Sequence, residues 1–82
     1  MTKFEDLELN EYFMVKVVKF RTDKEYLKRA FEEGKTYEMR TSVYTHDDNY
    51  NWTTNFICFR KNGGFTQINE FDAELEITKK VF

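Results

Sequence analysis

The chain predicts an α+β fold, a single small domain over residues 1–82. The expected architecture is a mostly antiparallel sheet of about five strands with one helix packed on one face, in the order β-α-β-β-β-β. A sheet curled into a small barrel is the alternative form of the same plan. Three observations predict it. Several stretches alternate apolar with polar residues or concentrate β-branched and aromatic ones. Only "TDKEYLKRAFEEG" carries a well-formed helical stripe. Short polar or Gly-bearing turns separate the later strands.

The lead-in "TKFEDLEL" offers Thr2 and Glu5 as a capping box, too short to hold a lone helix. Phe4 and Leu7 are expected to pack inward. "YFMVKVVKF", Tyr12 to Phe20, reads as a strand. Phe13, Val15 and Val17 share one face; Met14, Val18 and Phe20 share the other, which predicts a strand covered on both sides. In the helix, Thr22 and Glu25 form a second capping box, and Tyr26, Leu27, Ala30 and Phe31 make the apolar stripe. Gly34 supplies a left-handed stop.

"KTYEMRTSVYTH" reads as a half-buried strand, with Tyr37, Met39, Thr41 and Val43 on one face. Glu38, Arg40, Ser42 and Tyr44 fall on the other. "DDNYN" is a polar turn. "WTTNFICFRKNGGFTQIN" reads as a hairpin. Asn62-Gly63 suits a two-residue type I′ turn, while Gly64 keeps a three-residue bulged loop open. A last strand is expected from about Phe71 to Thr78.

With 82 residues the core is thin, and fifteen aromatics (nine Phe, five Tyr, one Trp) help to fill it. Hydrophobic residues at 40% and charged residues at 34% fit a globular domain rather than a disordered one. The formal net charge of −2 gives no bulk support for direct nucleic-acid binding or for docking on an anionic membrane. No apolar run approaches a membrane span, and the start has no signal-peptide core. Cys58 is the single cysteine. These features predict a cytoplasmic, reducing setting. The composition, with no Pro and much Lys, Asn, Phe, Tyr and Glu, resembles that of low-G+C genomes and their phages.

The most unusual stretch is "NEFDAELEITKK". On a strand, Phe71, Ala73, Leu75 and Ile77 face one way, and Glu70, Asp72, Glu74 and Glu76 face the other. Alternate side chains on one face lie about 6.7 Å apart. Four carboxylates would then form a row of about 20 Å, on the scale of a phosphate backbone. Such a row can complement a Lys/Arg groove on a partner. The same pattern also serves as a plain solvated face that discourages edge pairing.

Trp52 and Phe56 share a strand face with Cys58 and Arg60. Aromatics beside Arg can stack single-stranded bases, and core packing is the competing reading. Trp52, Tyr44 and Tyr50 are candidate aromatic anchors for a protein partner. His46, Asp47 and Asp48 cluster in a turn but lack the ligand number or spacing of a zinc or calcium site. Cys58 with His46 is the only thiol–imidazole combination the chain can offer. No phosphate loop, Ser elbow or dinucleotide fingerprint occurs. Lys24, Lys28 and Arg29 make a basic helix face that can solvate the helix or touch an anion.

The reading that follows is a non-catalytic protein-binding module without metal or cofactor. It would act as a small phage-type inhibitor or modulator, with Glu70, Asp72, Glu74 and Glu76 on a basic surface of a nucleic-acid-handling host protein. The alternative is a small-barrel module for single-stranded nucleic acid that uses the Trp52–Phe56–Arg60 face. A homo-oligomer joined by edge strands is a third form.

Overall fold

A computed structural model describes residues 7–61 and 63–81. Its elements are β1 (Tyr12–Phe20), α1 (Glu25–Ala30), β2 (Thr36–His46), β3 (Trp52–Phe59), β4 (Phe65–Ile68) and β5 (Ala73–Lys80). All five strands join one antiparallel sheet in the order β4-β3-β2-β1-β5. The α+β prediction, its element order and its antiparallel sheet are observed. The Thr2–Glu5 box, Phe4 and Asn62 lie outside the described residues.

The sheet is rolled. β4 and β5 occupy opposite ends of the strand order, yet only residues 69–72 connect them. That connection is folded on itself, with the Asp72 and Ala73 amides donating to the Asn69 carbonyl at 3.0 and 3.2 Å. It bridges far less than the about 19 Å between the outer strands of a flat five-stranded sheet. Three register shifts make the curl. Val18 is extra on β1 between Val17↔Leu75 and Lys19↔Glu74. Thr78 is extra on β5, and its hydroxyl donates to the Met14 carbonyl at 3.1 Å. Ser42 and Val43 together oppose Asn55. Each bulge bends and twists its strand.

Phe13, Val15, Val17, Met39, Phe56, Ile68, Ala73 and Leu75 line the inside of the roll, with Leu27 and Phe31 of the α1 segment and Leu7 of the lead-in packed against them. Removing this apolar surface from water is the main favourable contribution to folding.

The bulges correct two faces expected from strict alternation. Past Val18, Phe20 pairs with Ala73 and packs on the core. β1 is therefore not covered on both sides; Met14, Lys16 and Val18 on its other side are half-buried. Past Ser42 and Val43, Tyr44 turns to the core side, opposite Thr54, and Val43 is exposed. The Tyr44 hydroxyl donates to the Leu7 carbonyl.

The helix is shorter than its stripe predicts. The Thr22–Glu25 capping box does not form, and Lys24 holds the N-cap position without a side-chain cap bond. Lys24 instead reaches Asp72 at 3.1 Å. At the other end Phe31 leaves the helix in an extended conformation and is buried. Leu27 is buried as expected, whereas Tyr26 is exposed. Gly34 has a positive φ of 86°, but it opens β2 rather than stopping the helix, donating to the Val17 carbonyl at 2.7 Å.

Candidate functional site

The four-carboxylate row is broken. β5 begins at Ala73, so Glu70 and Asp72 lie in the connection before it. Asp72 is buried, its backbone carbonyl accepts from the Arg21 amide at 2.8 Å, and its carboxylate pairs with Lys24. That carboxylate, accepting from the Lys24 ammonium, pushes the Lys24 pKa up. The Glu70 carboxylate accepts from the Thr53 hydroxyl at 3.4 Å, and its carbonyl accepts from Arg21 at 2.7 Å. Only Glu74 and Glu76 project from the exposed face of β5. Each sits directly across from a lysine, Lys19 for Glu74 and Lys16 for Glu76. Cross-strand pairs of opposite charge are ordinary sheet stabilisers. The phosphate-like row expected from alternation is thus two turn carboxylates and two strand carboxylates faced by lysines.

The aromatic candidates gather more closely. β2 and β3 are joined by a tight turn in which the Asp47 amide donates to the Asn51 carbonyl at 3.2 Å and the Tyr50 amide to the Asp47 carbonyl at 3.1 Å. Inside it, the Asp47 carboxylate accepts from the Asn49 and Asn51 amides at 2.9 and 3.0 Å and from the Asn51 side chain at 3.1 Å. The Asn51 donors hold the Asp47 carboxyl below the usual carboxylate range. Asp47 is thereby spent on the turn. Among the described residues no group of three or more His, Cys, Asp and Glu could hold a metal ion.

Tyr50 sits at φ +59°. Left-handed backbone is unusual for a bulky side chain. The residue is 72% exposed, and its ring stacks on His46 with centroids 5.0 Å apart and planes 20° apart. His46 also meets Trp52, which is 52% exposed, at 4.7 Å. His46 Nδ1 lies 2.8 Å from the Asp47 carbonyl, which orients the imidazole. Tyr50, His46 and Trp52 thus form one exposed cluster at the β2–β3 end of the sheet. Residues 44–52 carry two carboxylates and no Lys or Arg. Tyr44, the third aromatic candidate, shares the strand side of His46 but is tied to the lead-in.

A buried amide relay supports this end. Asn55 opposes the β2 bulge and donates to the Val43 carbonyl at 2.9 Å. It accepts from the Asn69 side chain at 2.8 Å. Asn69 in turn accepts from the Phe71 and Asp72 amides at 2.9 and 3.3 Å. The relay joins the β2 bulge to the connection before β5.

The Trp52–Phe56–Arg60 face is not a surface, because Phe56 is 0% exposed. Cys58 is half-buried, and burial raises its pKa. It lies six residues from Trp52, the partner of His46, about 20 Å along β3. No thiol–imidazole pair forms.

Sequence reasoning missed the outer face at the other end of β3. There Phe59 and Phe65 pair across the hairpin, 52% and 61% exposed, with ring centroids 6.4 Å apart. The Arg40 guanidinium lies 5.0 Å from the Phe59 ring centre. The available signal was the register: the three-residue loop makes Phe59 and Phe65 partners.

The chain matches no protein-family model, no curated protein and no solved structure.

Proposed function

We propose that this chain is a non-catalytic protein-binding module whose anchor is the aromatic cluster of Tyr50, Trp52 and His46, placed against a basic surface of its partner. One observation carries the reading: a tyrosine holds a left-handed backbone position while keeping its ring in solvent. Outliers of this kind cluster at functional sites. Tyr and Trp bury large area at low entropic cost, which suits them to interface centres. Asp47 and Asp48 beside the rings favour a Lys/Arg-bearing partner and disfavour phosphate. A nucleic-acid-handling protein in the cytoplasm is the natural target, and occupation of its basic groove would make the module an inhibitor or modulator. Glu74 and Glu76 add charge at a separate place and are not the anchor.

The test compares capture from a host lysate at low salt by wild type, Tyr50→Ala/Trp52→Ala and Glu74→Gln/Glu76→Gln. The expected result is a basic, nucleic-acid-handling protein retained by wild type and by the Gln variant, and lost with the aromatic variant. Retention by the aromatic variant sinks the proposal. Loss with the Gln variant alone would return the role to the carboxylates of β5.

A further inference from the structure

We infer that the outer face at the β3–β4 hairpin is a second binding surface, built for single-stranded nucleic acid. Phe59 and Phe65 are neighbours across the strands and are both more than half exposed. Successive bases can stack on such rings, and the contact is tolerant of sequence because every base has a π-face. Arg40 is positioned on Phe59, and its Nε is buried without a hydrogen-bond partner. Its guanidinium rigidifies that ring and adds a fixed positive charge. Lys61, at the hairpin tip beside Phe59, is exposed, and residues 59–65 contain no acid. Arg60 turns to the other side of the hairpin, where it lines a pocket with Thr66, Asn69 and Asp72. Glu38, on the same side of β2 as Arg40, offsets one of the two cations that remain, Arg40 and Lys61. The local field is therefore positive although the whole chain is at −2.

A hydrophobic dimer patch is the competing use of two exposed phenylalanines. The cations around the rings argue against it, since a second copy of this face would bring Arg40 and Lys61 against their own kind. A polyanion with flat apolar groups meets both requirements. Duplex DNA does not, because its bases are already stacked. This surface is independent of the anchor at the opposite end of β3, about 23 Å away, seven residue steps along the strand.

The experiment is fluorescence anisotropy of a labelled twelve-residue oligothymidylate against the purified chain at low salt. Four proteins are compared: wild type, Phe59→Ala/Phe65→Ala, Lys61→Glu and Tyr50→Ala/Trp52→Ala. Circular dichroism confirms that each is folded. The expected result is saturable binding by wild type, weakened at least tenfold in the first two variants and unchanged in the third. With two phosphates neutralised, the log affinity should fall against log salt with a slope of about −1.4. Absence of binding by wild type overturns the inference. So does equal binding by the Phe variant, equal affinity for a duplex of the same length, or equal displacement by polyglutamate, which would make the contact charge alone. A change in sedimentation mass that follows Phe59 and Phe65 without oligonucleotide would assign the patch to self-association instead.

Discussion

The two turns at the ends of β3 share one hydrogen-bond frame and differ in the residue that closes it. At one end the Asp47 amide bonds the Asn51 carbonyl and the Tyr50 amide bonds the Asp47 carbonyl; at the other the Arg60 amide bonds the Gly64 carbonyl at 2.8 Å and the Gly63 amide the Arg60 carbonyl at 3.1 Å. Both place their penultimate residue at positive φ, Tyr50 at 59° and Gly63 at 89°. Glycine is the low-cost solution for such a loop. Tyrosine costs about 1 kcal/mol there. The Asp47 carboxylate, with its bonds to Asn49 and Asn51, braces that turn, whereas position 60 carries a guanidinium, which cannot accept such bonds. The β2–β3 turn thus keeps a ring that its geometry does not require. The charges differ as well, two carboxylates at one turn and two cations at the other.

The relay through Asn55 touches the β2 bulge and the connection before β5. Asn55→Ala leaves the Val43 carbonyl and the Asn69 amide without partners, and should cost about 2–3 kcal/mol in urea denaturation. Its chemical-shift changes should reach Tyr50 and Trp52 and spare Gly63. Equal disturbance at both turns would mean that the relay holds the whole sheet and not one end. Gly63→Ala should cost about 1 kcal/mol, from backbone conformation alone. Nothing lies within 4 Å of the added methyl position, so no clash contributes. Tyr50→Gly sharpens the contrast, because it relieves strain while losing the stack on His46. Its stability should stay within about 0.5 kcal/mol of wild type, while partner binding falls at least tenfold. A large loss of stability would make Tyr50 a structural residue.

The smallest effect is the response to acid. Asp47 has a depressed pKa, so its contribution is complete above the ordinary carboxylate value of about 4 and is lost as pH falls through the folded-state value. Hydrogen exchange at the Asn49 and Asn51 amides should quicken in that acid window, with no matching change at Gly63. Asp47→Asn should remove the pH dependence.

Much of the fold was legible because its signals are local. β1 was expected from Tyr12 to Phe20 and is observed there. The three-residue hairpin loop was one of the two turns that the NGG sequence allowed. Alternation failed where register shifts intervene. Nothing in "VKVVKF" announces that Val18 is the extra residue, since the bulge is set by the pairing of β1 with a strand more than fifty residues on. The same limit applies to Tyr44, which one bulge moves to the opposite side. The carboxylate pattern departs from alternation for a different reason. Its first two members precede the strand, and Asp72 is claimed by Lys24, whose own neighbourhood reads as a helix start. Trp52 and Tyr50 were visible as candidates from residue type, but their meeting on His46 depends on the turn. The exposure of Phe59 and Phe65 is fixed by the curvature of the sheet, a property that no single segment encodes.

The pairing of β1 with β5 has a consequence for how the protein folds. Phe13 aligns with Lys80, and the two strands bound nearly the whole described chain. During folding β1, β2 and β3 can associate as a meander before residues 73–80 dock. Until they dock, the β1 edge is bare and its apolar side lacks Ala73 and Leu75. Such non-local closure is the slow step expected of β-rich topologies. The folding chain therefore passes through an interval in which a sticky edge faces solvent, and the time spent there is set by how fast β5 finds its register on β1.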